Sequence, residues 1–91
     1  MTPAERIALD RFAAVSTDRA RRLRLLAEAD DAIAVHLLRC PEGDAAELLA
    51  WQRQTYRLVL ARHDAEVEAN KANRSLTEAG NTWERAFAEG A

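Results

Sequence analysis

Hydrophobic positions recur with a helical period along two long stretches of the chain. In the first stretch, one heptad series places leucine at three of its five positions: Leu9, Ser16, Leu23, Asp30 and Leu37. A second heptad series consists of alanine throughout: Ala13, Ala20, Ala27 and Ala34. Because small side chains let a neighbouring helix approach closely, we expect this alanine series to face a second helix.

Capping and breaker residues predict where each helix begins and ends. Thr2-Pro3-Ala4-Glu5 is typical of a helix start with a capping box, so the first helix should span about 3–39. The run 15–18, Val-Ser-Thr-Asp, is its weak point, where the helix either continues or bends. Residues 40–44, Cys-Pro-Glu-Gly-Asp, predict a turn in which Gly43 permits a left-handed conformation and Asp44 caps the next helix.

The second helix should run over about 45–79, where Gly80-Asn81 ends it. A short C-terminal helical turn is expected over 82–89. Two long helices joined by a short turn form an antiparallel hairpin. We therefore predict an all-α fold and a single helical-hairpin domain over residues 1–91.

A tight fold at residues 41–42 would pair residues whose numbers add up to about 83. In that register Asp30 faces Arg53 and Arg19 faces Asp64, so each charge in the helix interface has a partner. The apolar residues expected in the interface are Leu23, Leu26, Ile33, Leu37, Tyr56 and Leu60. They cluster near the turn, so the hairpin should be well packed there and thin at its open end.

Composition narrows the possible functions. The net charge of −2 gives no overall basic field for nucleic acid, and acidic residues directly follow the cluster Arg19, Arg21, Arg22 and Arg24. That cluster is interpreted as a solvated helix surface, although an anionic partner is an alternative. No apolar run is long enough to cross a membrane and no cleavable signal is visible, so we expect no membrane insertion and a cytoplasmic location.

Candidate chemistry is sparse. His36 and His63 are predicted to lie on different helices, opposite Glu47 and Ala20, without the spacing of a metal site. Cys40 is the single cysteine, and a hairpin turn supplies it with no base or orienting group. We therefore expect no catalytic residue, metal ligand or cofactor, and no enzymatic activity.

A protein interface is the better expectation, because a lone two-helix hairpin of this size has little margin over chain entropy. Trp51 is predicted to face away from the first helix, where it either anchors a partner or covers the flank of the hairpin, with Arg53 beside it. Phe12 at the open end is poorly covered unless Trp83 and Phe87 fold back over it. These five residues are the candidate partner contacts.

The stretch Gly43-Asp44-Ala45, then Trp51-Gln52-Arg53, then Leu58 and Ala61, follows a helix that ends in a Pro/Gly turn. Over about residues 19–66 the chain resembles the small needle-subunit co-chaperones of bacterial type III secretion (the YscE/PscE kind). The resemblance implies a cytoplasmic helical hairpin that packs on a helical-repeat, TPR-like co-chaperone. Together the two proteins would hold a small helical secretion subunit before its export.

Two other interaction classes remain open on sequence grounds. One is a self-associating structural hairpin, such as a four-helix-bundle dimer in a phage or scaffold component. The other is a secreted hairpin of the WXG type, although the turn here is Cys-Pro-Glu-Gly-Asp rather than Trp-x-Gly.

Overall fold

The protein is an antiparallel hairpin of two long α-helices, as the hydrophobic pattern predicts. A computed structural model describes residues 1–90, with α1 at Pro3–Leu37 and α2 at Ala45–Gly90. The two helices pack along one another in a rod of 70 × 14 × 13 Å. At about 1.5 Å per residue, the 46 residues of α2 account for the whole length of the rod.

The helix boundaries differ from the prediction in two ways. α1 ends at Leu37 and is continuous through residues 15–18, and α2 passes through Gly80-Asn81 without a break. The predicted end at residue 79 is wrong, because the helix continues through Gly80, which lies against the ring of Phe12. A Cβ on Gly80 would lie 3.4 Å from Phe12 Cε2, which is an ordinary van der Waals contact.

The predicted caps are present at both helix starts. Thr2 Oγ1 accepts a hydrogen bond from the Glu5 N–H at 3.1 Å, and the Glu5 side chain accepts one from the Thr2 N–H. At the start of α2, Asp44 Oδ1 accepts a hydrogen bond from the Glu47 N–H at 2.8 Å. Residues 1–90 contain no positive φ angle, so Gly43 does not take the left-handed conformation expected of it.

The predicted register is wrong by about two and a half helical turns. Arg62, not Arg53, pairs with Asp30, and Asn73, not Asp64, accepts a hydrogen bond from Arg19 Nε. Residues that face one another therefore have numbers that add up to about 92. The cause is the connection over residues 38–44, which is long enough to run beside the first turns of α2 instead of folding back at once.

Two rows of inward-facing residues, spaced alternately by three and four positions, form the helix interface. The row on α1 consists of Glu5, Ala8, Phe12, Val15, Arg19, Arg22, Leu26, Ala29, Ile33 and His36, all buried or half-buried. The row on α2 consists of Trp51, Thr55, Leu58, Arg62, Ala65, Ala69, Ala72, Leu76, Ala79, Trp83 and Ala86. In the observed register most large side chains of one row meet an alanine of the other.

This large-against-small packing explains which residues are most buried. Within residues 1–90 the buried apolar side chains are Ala8, Ala69, Ala72 and Ala79. Three of the four lie on α2, whereas the predicted alanine series of α1 is exposed at all four positions. The small residues do bring the helices close together, but they belong to the other helix.

The two ends of the hairpin are also reversed relative to the prediction. The four buried alanines lie in the open half, and the turn half contains exposed apolar residues on both helices. Of the predicted interface residues, Leu26 and Ile33 are half-buried within the α1 row, and Leu23 is half-buried beside it. Leu37, Tyr56 and Leu60 are exposed and do not belong to it, so their predicted place is wrong.

Charged residues in the interface reach its edge. Arg62 bridges the helices by pairing with Asp30 of α1 and, at 2.7 Å, with Glu66 of its own helix. Hydrogen bonds and attraction from Asp30, and then from Glu66, raise the pKa of Arg62 above its ordinary value. Arg19 and Arg22 occupy inward positions level with alanines of α2, whose small side chains leave room for the arginine stems.

No part of either helix, over the residues described, combines the length and the apolar character that a membrane crossing requires.

The alanine row on α2 leads to a direct test of the interface. Replacing Ala79, which is 1% exposed, with leucine should overpack the contact with α1 and lower the free energy of unfolding by about 1–3 kcal/mol. The matched substitution Ala20→Leu lies on the exposed alanine series and should change it by less than about 0.5 kcal/mol. Urea unfolding followed by circular dichroism measures both. A larger loss for Ala20→Leu would contradict the observed interface.

Candidate partner-binding surface

α2 carries a second row of apolar residues on the side turned away from the interface. We call this the outer row; its members are Leu49, Tyr56, Val59, Leu60 and Val67. All five are exposed, with Tyr56 at 66% and Leu49 at 47%. Large apolar side chains that follow one helical face in this way mark an interaction surface more often than scattered surface residues do.

The spacing of the outer row follows from helical geometry. Positions 49, 53, 56, 60, 63 and 67 alternate by four and three residues, which keeps them on one face over about 27 Å of helix, and Val59 lies at the border of that face. Arg53 and His63 occupy the two polar positions of that face, and both are exposed. Arg57 and Asp64 lie along one border of the row, so Arg53 and His63 interrupt the apolar centre of the surface and opposite charges line this border.

Trp51 lies on the interface side of α2, and its predicted orientation away from α1 is wrong. Its indole ring stacks on the imidazole of His36, with centroids 4.9 Å apart and planes inclined by 14°. Its indole N–H donates a hydrogen bond to the His36 carbonyl oxygen at 3.1 Å. Trp51 therefore joins the end of α1 to α2.

His36 completes this contact from the other helix. Its Nε2 lies 2.7 Å from Thr55 Oγ1 and 3.1 Å from the Trp51 carbonyl oxygen. The Thr55 hydroxyl in turn donates to the Trp51 carbonyl oxygen at 2.9 Å. Both the carbonyl group and the imidazole ring of His36 thus contact α2 through hydrogen bonds. The predicted position of His36 opposite Glu47 is therefore wrong.

The other aromatic candidates lie at the open end. Phe12 is half-buried against Gly80, and Trp83 is half-buried in the inward row of α2. Phe87, which is exposed, stacks on Trp83 with ring centroids 5.6 Å apart. Trp83 and Phe87 reach the N-terminal part of α1 as a direct continuation of α2, not by folding back.

The five predicted contact residues are not brought together. Arg53 lies near the turn and Phe87 near the open end, separated by about 50 Å along α2. Trp51, Phe12 and Trp83 belong mainly to the hairpin's own interface. Of the predicted contacts, Arg53 is the one that lies within the outer row.

Other surface features of the described residues offer little chemistry. A groove beside the His36–Trp51 contact is bordered by Ala32, Val35, Arg39, Gln54 and Leu58 and opens to solvent. Cys40 is exposed in the connection between the helices. Residues 1–90 hold no group of three or more His, Cys, Asp or Glu side chains placed to bind a metal ion.

The prediction missed Leu49, Val59 and Val67 as surface residues and placed Tyr56 and Leu60 in the helix interface. A signal for the outer row was present in the sequence, because the apolar residues of α2 fall into two rows with the same spacing. Only the register shows which of the two rows α1 covers.

Comparison with protein-family models, with curated proteins and with solved structures finds no match for this chain. The resemblance to needle-subunit co-chaperones therefore stays a prediction.

The Trp51 contact predicts a loss of stability on truncation. Trp51→Ala removes the ring stack and the hydrogen bond to His36, and should lower the free energy of unfolding by about 2 kcal/mol or more. Trp51→Phe keeps an aromatic ring and should lose about half as much. The exposed neighbour Gln52→Ala serves as the control and should behave as wild type in thermal unfolding. Equal stability of Trp51→Ala and the control would remove Trp51 from the helix contact.

Proposed function

We propose that this protein is a non-catalytic interaction module whose outer row packs against a helix of another protein. The observation that carries the proposal is the outer row itself, with Leu49, Tyr56, Leu60 and Val67 exposed along one face of α2 and Val59 exposed at the border of that face. An amphipathic helix laid along such a face buries apolar area on both sides, which is a recurrent mode of helical recognition.

The thin core of the hairpin supports the same function. The side chains that reach full burial within residues 1–90 are alanines, which contribute little apolar area each. A partner that binds only the folded hairpin stabilises it by mass action. Binding along the turn half of α2 would therefore add stability where the hairpin's own packing is weakest.

In its most specific form, the proposed module is a small co-chaperone or adaptor of a bacterial secretion system. Support comes from the resemblance over residues 19–66 and from the hairpin architecture that the resemblance implies. The partners would be a helical-repeat co-chaperone, a small helical secretion subunit, or both. Because Trp51 packs on His36, the contact residues in this proposal are Arg53, Tyr56 and Leu60.

Self-association is the alternative, and the arrangement of charges beside the outer row favours it. Asp64 and Arg57 lie on the same border of the row at a spacing of seven residues, which suits a second copy of the chain.

The proposal predicts that charge placed in the outer row abolishes partner capture. The chain, tagged and expressed in its native host, should co-purify with a helical-repeat protein, and the double substitution Tyr56→Asp with Leu60→Asp should lose that protein. Since both side chains are exposed, the variant should keep its helical circular dichroism spectrum.

The matched control is Ile7→Asp, because Ile7 is an exposed aliphatic residue of α1 outside the outer row. It should retain the partner at the wild-type level. Retention of the partner by the folded outer-row variant would contradict the proposed surface, and a captured enzyme complex with no secretion component would contradict the specific form.

A further inference from the structure

The charges beside the outer row do not find partners within the chain. Arg57 and Asp64 are both exposed, and neither forms an ion pair with another residue of the described part, 1–90. Since they are seven residues apart, they lie on the same border of α2 but about 10 Å from one another along the axis. That distance is too long for a direct ion pair within one helix.

A second copy of α2 that runs antiparallel along the outer row gives both charges an oppositely charged partner. Arg57 then meets Asp64 of the second copy, and Asp64 meets Arg57 of the second copy, because a two-fold axis makes every contact reciprocal. A parallel, in-register copy would instead place Arg57 beside Gln52 and Asp64 beside Val59 of the second copy, so neither charge would gain an oppositely charged partner. The charge order along the border therefore selects one orientation.

Tyr56, Leu60 and Val67 fit the same arrangement, whereas Leu49 lies opposite Arg74 at the end of the contact. In an antiparallel pairing that joins Arg57 to Asp64, the outer-row positions face one another as Tyr56 with Val67 and Leu60 with His63. Each of these contacts occurs twice and places a large apolar side chain in the centre. Arg53 lies opposite Asn70, a side chain with an amide oxygen able to accept its hydrogen bond.

We propose that the outer row is a self-complementary surface, on which a second copy of this chain packs antiparallel through reciprocal Arg57–Asp64 ion pairs. The two α2 helices form the centre of the dimer and the two-fold axis passes between Leu60 and His63. This inference rests on the proposed function only because both assign binding to the outer row. The homodimer is then the form of the chain without its partner, and a partner helix competes with the second copy.

Charge reversal tests this pairing on the purified full chain. Sedimentation equilibrium at micromolar concentration should give twice the chain mass of 10.1 kDa for the wild type. Arg57→Glu or Asp64→Lys alone places like charges at both reciprocal contacts and should raise the dimer dissociation constant about tenfold or more. The double variant Arg57→Glu with Asp64→Lys restores opposite charges and should return it to within about threefold of the wild type.

Three results would overturn the proposal: a monomeric wild type, a dimer indifferent to both single reversals, or a double variant that stays as weak as the singles. Circular dichroism of each variant verifies the fold, which exposed positions should not disturb. The single variants also separate this inference from the proposed function. Their outer row keeps its apolar residues, so they should still capture the helical-repeat partner whether or not the homodimer exists.

Discussion

The structure depends on one steric constraint, the close approach of two helices through a row of alanines on α2. Ala69, Ala72 and Ala79 are buried because large residues of α1 lie against them, and this pairing sets the register of the whole hairpin. A slip by one heptad would keep some of these pairings, such as Phe12 against an alanine, but it would place Leu26 against Leu58 in one direction and Val15 against Trp83 in the other. Packing at interior density tolerates neither overlaps nor voids, so the register is well defined without a large core.

The same constraint accounts for the polar residues inside the interface. Arg19 and Arg62 occupy inward positions, yet each side chain reaches the edge of the hairpin. There Arg19 donates a hydrogen bond to Asn73, and Arg62 pairs with Asp30. The Arg62–Asp30 ion pair is exposed to solvent, so it contributes little to stability. A shifted register is disfavoured, because it would leave Arg19 and Arg62 without these partners in a partly apolar surrounding.

The exposed surface follows from which face of α2 the register turns towards α1, and its end near the turn follows from the difference in helix length. α2 is eleven residues longer than α1, and the register aligns the two helices at their open end. The excess length of α2 therefore extends beyond α1 at the turn, where the His36–Trp51 contact closes the end of the interface. Beyond and beside that contact, the apolar residues of α2 face solvent, and this is the surface to which we assign partner binding.

The sequence by itself determined the helical class, the hairpin, the Thr2 cap and the helix start after Asp44, because these depend on local periodicity and capping. The tertiary structure decided the register, the buried residues and the identity of the exposed row. Two equally spaced apolar rows on α2 and an alanine series on each helix make those choices ambiguous locally. Contacts between residues far apart in the chain, such as Phe12 on Gly80, resolve them through the fit of large side chains against small ones.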